Sequence, residues 1–236
     1  MSAPIVIDAI SQATDLIFSG DPVLWETILL SFRVSLSALI AALLLGIPVA
    51  LLMTVYQFHG RRLLHIAIDS LMALPPVVVG LIVYLMLSRS GPLGIWGLLY
   101  TPAAMIIAQA VLITPIVVAL SIQVFAQHWT RMREQLTMLG YQPRQSFGII
   151  LHEARLGLVT VILAAFGRAI AEIGAVMVVG GNIENYTRVM TTAVATETRQ
   201  GNLIHALALG IILITLALLL NFTVHQISHP RKTGKL

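Results

Sequence analysis

From Ser90 to Thr130 the chain carries no Asp, Glu, Lys or Arg, and from Val34 to Gly60 it carries none either. Uncharged stretches this long have few stable homes. In a bilayer, about 20 such residues make one helical span, because a helix satisfies its own backbone N–H and C=O groups where no water can. The whole chain points the same way. It is 58% hydrophobic and only 10% charged, against about 25% charged in soluble domains. This excludes a disordered chain, a collagen-like or disulfide scaffold, and a soluble enzyme. With no cysteine among its 236 residues, it has neither thiolate metal sites nor a cysteine nucleophile. The length holds roughly five spans with short loops. The expected class is an all-α polytopic membrane protein.

The spacing of Val6, Ile10, Ala13 and Ile17 predicts a short amphipathic helix before the first break at Ser19-Gly20-Asp21-Pro22. Met1 to Gly20 has no Lys or Arg, which argues against a signal peptide and for a helix lying at the membrane interface. Asp21 suits the N-cap of the next helix, with Pro22 at its first position. The first span runs from about Trp25 to Tyr56. The second runs from Ile66 to Leu87, interrupted at Pro75-Pro76, where a kink or a broken helix is expected. Ser90-Gly91-Pro92-Leu93-Gly94 reads as a turn. The third span covers Thr101 to Val124, the fourth Leu158 to Val179 with a cap at Gly180-Gly181-Asn182, and the fifth Leu203 to Ile227.

Charge then orients the chain. With five spans, one set of loops holds Arg61, Arg62, Arg131, Arg133, Arg144, Arg155, Arg231, Lys232 and Lys235; the other holds Arg89, Arg188 and Arg199. The excess of Lys and Arg marks the cytoplasmic side. The N-terminus is therefore expected outside and the C-terminus inside. The formal net charge of +4 follows from this topology and calls for no nucleic acid.

Trp129 to Gly140 reads as a short amphipathic cytoplasmic helix, with Thr130 as cap and Gly140 as stop. Glu134 and Gly140, six positions apart, with Ile150 ten residues further on, resemble the Glu-Ala-Ala loop of ABC importer permeases. Gln135 and Leu136 stand in place of the two alanines, and His152-Glu153 in place of Leu-Pro. The runs from Leu74 to Leu81, Ser88 to Gly94, Phe166 to Ala175 and Gly181 to Ile183 resemble the oxyanion branch of that family. Thr187-Arg188-Val189-Met190-Thr191-Thr192-Ala193 looks most like permeases of tungstate importers, with molybdate and sulfate permeases as the neighbouring alternatives.

The resemblance implies a division of the chain. An extracytoplasmic segment covers 1–24, a permease core 25–227 with a coupling loop at 127–155, and a basic tail 228–236. It implies a homodimer embedded in membrane lipid, two ATPase subunits on the cytoplasmic face and an extracytoplasmic oxyanion-binding protein. The chain has no Gly-x-x-x-x-Gly-Lys-[Ser/Thr], so no phosphate-cradling loop of its own; neither a cofactor nor a catalytic group is expected. Arg133, Glu134, Gln135, Thr137 and Gly140 become the expected contacts to the ATPase.

Candidates for the pathway or its gate are Pro75, Pro76, Arg168, Glu172, Asn182, Thr187, Arg188, Thr191 and Thr192. Arg168 and Glu172 lie within a span, where a central charge costs roughly 2.5–3.5 kcal/mol. Four residues apart, they can pair on one helix face. That pair either fixes packing or the dimer, or switches partners between inward and outward states. The hydroxyls and guanidinium between Gly180 and Asn202 either belong to a solvated loop or offer donors to a tetrahedral anion. His152-Glu153 opens like a zinc-protease motif, but Leu156 stands where the second histidine would be, and no metal site is expected. An intramembrane enzyme would need a nucleophile–base pair, a carboxylate pair or a metal cluster, and none stands out. An ion-coupled carrier would need no ATPase.

Overall fold

The computed structural model describes residues 3–228, and among these there are helices and turns but no strand. Ten α-helices follow in order: α1 (Ala3–Phe18), α2 (Pro22–Val55), α3 (Arg61–Met72), α4 (Pro76–Leu87), α5 (Pro102–Met138), α6 (Ser146–Glu153), α7 (Arg155–Ile170), α8 (Gly174–Gly180), α9 (Met190–Gln200) and α10 (Leu203–Ser228). The basic tail at Arg231, Lys232 and Lys235 lies outside the described residues. Three helices, α2, α5 and α10, are long and apolar enough to cross a membrane; the count reaches five if the bent pairs α3–α4 and α6–α7 are each one span.

Local chemistry sets the boundaries. The Asp21 carboxylate accepts from the Leu24 N–H at 2.8 Å, with Pro22 next to the cap, as the sequence predicts. Thr101 and Pro102 repeat the device at the start of α5. In α1, Ala13 is fully buried while Ile10 is exposed; Val6 lies outside the residues whose side chains are described. Leu16 and Ile17 join Ala13 in a core shared with α2, α7 and α10. This helix packs along α10 rather than standing clear of the bundle.

Two expectations need correction, on the third and fourth spans, and of the two alternatives at Pro75-Pro76 the structure has the broken helix. The third span and the cytoplasmic helix are one continuous helix, α5. No breaker falls between Val124 and Met138, and once helical the backbone gains a hydrogen bond per residue by continuing into the polar segment. The second span is broken outright: α3 and α4 meet at 100°. Pro76 sits at N1 of α4 and Pro75 is its extended N-cap, so neither α3 nor α4 can extend through the pair. The fourth span is interrupted too, between Ile170 and Gly174. With 12 residues in α4, that helix is roughly 18 Å long, shorter than the roughly 30 Å hydrocarbon layer.

The bundle holds together in three apolar layers. One joins α4, α8 and the start of α5 through Val79, Val83, Met105, Val176 and Val179. The middle one joins α2, α5, α7 and α10 through Ala38, Ala42, Val117, Ala165, Phe166 and Leu209. The third joins α2, α3, α5, α6 and α7 through Met53, Ile68, Phe125, Ile150 and Leu158. Small residues permit the closest approaches. A Cβ added at Gly46 would come within 2.8 Å of Val117, and one at Gly80 within 2.7 Å of the Ala175 backbone. The second site cannot relax by rotating a side chain. Gly80→Val is expected to destabilise the protein by about 1–3 kcal/mol through overpacking, read as a lower unfolding temperature in detergent; an unchanged temperature would show that α4 and α8 separate freely.

Candidate functional site

Two places collect the sequence candidates. The first is the turn after α5. Leu136 is buried, whereas Arg133, Glu134, Gln135 and Thr137 are exposed on the same helical end. The Thr137 hydroxyl bonds back to the Arg133 carbonyl at 2.8 Å. Gly140 adopts φ +76°. Its N–H donates to the Thr137 carbonyl at 3.0 Å, and the Tyr141 N–H donates to the Leu136 carbonyl at 2.9 Å. This pair of bonds is the Schellman ending of a helix, which needs a left-handed residue at that position. The turn leaves Met138 85% exposed and Leu139 72% exposed, with Tyr141 beside them. Arg133, Glu134, Thr137 and Met138 line a shallow concavity next to it.

The chain returns through α6, whose Ile150 is fully buried with Phe125 and Leu158. Phe147 meets Tyr56 edge-on at 6.0 Å. Glu134, Gly140 and Ile150 thus have distinct roles in a helix–turn–helix. Glu134 is on the outer surface, Gly140 makes the reversal, and Ile150 fastens the returning helix to the bundle.

The second place is the break between α7 and α8. Glu172 is only 4% exposed. One carboxylate oxygen accepts from Arg168, the other from the Ala175 N–H at 3.1 Å. The carboxylate therefore caps the first turn of α8 while neutralising a guanidinium. Other elements hold the same break. The Thr191 hydroxyl of α9 donates to the Glu172 carbonyl at 2.8 Å, and Gln109 Nε2 of α5 donates to the Ala169 carbonyl at 2.9 Å. The carbonyls released where α7 stops thus find partners, which a buried helix end requires.

Three helix starts gather here. A Cβ at Gly174 would meet Val77 of α4 at 2.7 Å, and the Met190 N–H at the start of α9 donates to Ser31 of α2 at 2.8 Å. The first turns of α4, α8 and α9 all lie beside Glu172. Each brings the positive end of a helix dipole. Pro75 and Pro76 thus contribute by starting α4 next to this cluster.

The remaining candidates serve the local fold. The Thr187 hydroxyl donates to the Gly180 carbonyl at 2.6 Å and accepts from the Ile183 N–H at 2.9 Å. The Thr192 hydroxyl exchanges bonds with the Val189 backbone, both at 3.1 Å. Asn182, left-handed at φ +50°, donates to the Thr196 hydroxyl at 2.7 Å. Thr187, Thr191 and Thr192 are buried, so their hydroxyls are committed inside the protein rather than offered to an anion.

Arg188 is 16% exposed and lies 3.7 Å from Glu184 and 3.6 Å from Glu197. It lines a cleft of about 370 Å³ with Asp21 and His205. The segment expected as an open loop from Gly180 to Asn202 is thus a folded unit containing α9. Alongside it, Tyr100 and Tyr84 meet hydroxyl to hydroxyl at 3.5 Å. That bond raises the Tyr100 phenol above its ordinary range. Among the described residues no group of three or more His, Asp and Glu side chains could hold a metal ion.

Gln109 and Ser31 carry no motif, yet both are buried and bond across helices. The signal for Gln109 is a lone amide in an apolar run, where a polar group needs a partner; Ser31, one of several hydroxyls along the start of α2, carries no such mark.

The family described as "Binding-protein-dependent transport system inner membrane component" matches residues 16–233. A probable anion ABC transporter permease protein of Haloferax volcanii is 41% identical over 196 residues, covering 81% of this chain and 84% of the relative. A tungstate uptake system permease protein of Peptoclostridium acidaminophilum is 36% identical over 222 residues, covering 94% of this chain and 97% of the relative. Among solved structures, an inward-facing form of the MetNI methionine ABC transporter aligns with a TM-score of 0.66 at 17% identity, covering 96% of this chain and 97% of that one. At that identity the likeness speaks for the fold.

Proposed function

We propose, from the premise that this chain belongs to the family of binding-protein-dependent transport system inner membrane components, that its cargo is an oxyanion and, within that class, tungstate. The observation that carries the cargo is the likeness to a tungstate uptake permease along 94% of this chain. A multi-pass permease of this family works with an ATPase subunit and a binding protein. In our reading the N-terminus and the Gly180–Asn202 unit face outward to the binding protein, and the α5–α6 turn faces the cytoplasm and the ATPase. Two copies of the chain form a homodimer with the pathway between them. The bent pairs α3–α4 and α6–α7 each contribute one of five crossings, the second continued past its break by α8, and α1 is an outer helix embedded against α10. The chain itself uses no cofactor.

The coupling reading rests on shape and chemistry at the α5 tip. Met138 and Leu139 are exposed apolar side chains on a rigid turn, and Glu134 supplies a charge beside them. An apolar knob with a charged rim suits a partner's cleft. ATPase closure would draw two such tips together and tilt the helices that carry them. The Arg168–Glu172 pair, at the break, is the candidate gate.

The test is ATP hydrolysis and uptake in proteoliposomes containing the homodimer, its ATPase and its binding protein. Tungstate is expected to stimulate hydrolysis and to accumulate only with ATP. Stimulation by sulfate or molybdate with none by tungstate would transfer the assignment to that anion. Accumulation driven by an ion gradient without ATP would overturn the ABC reading.

A further inference from the structure

We propose that Thr160, Ala164, Arg168 and Ala171 form a water-exposed wall of the translocation pathway, on which the passing oxyanion shares the Arg168 guanidinium with Glu172. The identity of the anion rests on the importer reading; the wetness of this face does not. Positions 160, 164, 168 and 171 lie on one side of a helix. Ala164 and Ala171 are exposed and Thr160 is half-buried. Arg168 keeps 38% of its side chain exposed while its partner Glu172 keeps 4%. A guanidinium has five N–H donors, and the structure gives Arg168 one hydrogen-bond partner, Glu172. The remaining donors meet no acceptor among the described residues.

An open charge at this depth is stable where it meets water and costly where it meets hydrocarbon. The rest of the face fits water better than lipid. α10 exposes Ile214, Leu218, Leu219 and Phe222, the bulky side chains expected against acyl chains. On the side of Thr160, Ala164 and Arg168, α7 carries a hydroxyl, a methyl and a guanidinium, with half-buried Leu163 at its edge; Ala171 marks its boundary, lining an apolar groove with Ile214 and Leu220 of α10. Small side chains leave room for a hydrated anion, and the guanidinium suits tetrahedral oxygens.

Glu172 makes the contact reversible. Its second oxygen is held by the Ala175 N–H, so the carboxylate can loosen from Arg168 without leaving its cap. The oxyanion and the carboxylate then compete for one cation, which keeps binding weak. The positive ends of α4 and α9 beside the cluster add a field of the same sign. This field attracts an anion over the whole approach rather than at one atom.

The natural sequence has no cysteine, so an introduced thiol stands alone. Ala164→Cys and Ala171→Cys, in the full transporter in proteoliposomes, are expected to react with a membrane-impermeant anionic methanethiosulfonate at least about tenfold faster than Leu218→Cys. In the Ala164→Cys background the ratio of anionic to cationic reagent rates reads the local charge. Arg168→Gln is expected to lower that ratio several-fold, Arg168→Lys to restore it, and Glu172→Gln to raise it.

Thiols at 164 and 171 as slow as at 218 in every nucleotide state, though reactive after unfolding, would overturn the proposal. So would copy-to-copy disulfides at these positions without labelling, or a ratio unmoved by Glu172→Gln. The last variant keeps the test open should Arg168→Gln fail to assemble. Fast labelling with no tungstate uptake in the unsubstituted transporter would sink the cargo while leaving the wet face standing.

Discussion

Glu172→Ala is expected to lower the stability of the protein by about 3 kcal/mol, the low end of the range for stripping one partner from a buried ion pair. Two losses combine. Arg168 loses its carboxylate, and the Ala175 N–H at the start of α8 loses its acceptor. The low end applies because Arg168 is 38% exposed and recovers some solvation. The unfolding temperature in detergent should fall sharply, and ATP-driven uptake should fall with it. Glu172→Gln separates the two effects. Its amide oxygen can still cap α8, so it should unfold much closer to the parent protein while losing the charge. An alanine variant as stable as the parent would remove this pair from any structural role.

Glu134→Lys and Gly140→Val are expected to uncouple ATP hydrolysis from uptake while leaving insertion and folding intact. At Gly140 a Cβ would meet nothing within 4 Å, so the substitution causes no clash. It strains a residue at φ +76°, a cost of about 1–2 kcal/mol, and shifts the direction in which the chain reverses. Met138 and Leu139 would then be presented at another angle. Glu134→Lys changes no packing, because the residue is exposed; it reverses the charge next to the knob. Stimulated uptake should drop at least about tenfold in each, an effect of the size seen when an interface anchor is lost. Gly140→Asn, which tolerates the left-handed conformation, should keep most of the coupling. Normal uptake in both Glu134→Lys and Gly140→Val would place the ATPase contact elsewhere.

The parts legible in the sequence are those written by local rules. Asp21-Pro22 and Thr101-Pro102 announce helix starts, and Gly140 and Gly181 announce ends, because capping depends on a few neighbouring atoms. Pro75-Pro76 announces an interruption for the same reason. The break after Ile170 is different. Ala171, Glu172 and Ile173 are all compatible with a helix, and the interruption persists because Thr191, Gln109 and the Ala175 N–H satisfy the groups it frees. Ala175 is a near neighbour, but Thr191 and Gln109 lie far away along the chain, so no short window around Glu172 contains the partners of the freed carbonyls.

The continuity of α5 is hidden in the sequence for the opposite reason. A change from apolar to polar composition marks where a helix leaves a membrane, and it does not mark where the helix ends. The threonines between Gly180 and Asn202 show a further limit. Composition lists their hydroxyls as donors, whereas Thr187 and Thr192 spend them on backbone a few residues away and Thr191 on the break.

The unbroken length of α5 has a mechanical consequence. Gln109 and Met138 stand on the same helix of 37 residues, separated by roughly 44 Å at 1.5 Å per residue. Although Pro115 interrupts its hydrogen-bond ladder, the helix runs on, and a helix of that length turns a small rotation into a large excursion. Tilting it by about 5° about the level of Gln109 swings its far end by roughly 4 Å, about the width of one side chain. Read backwards, the same lever has high gain. In the coupling reading, a push of a few ångströms at Leu139 would reach the Ala169 carbonyl, through Gln109, as a slight twist at the level where α7 is interrupted.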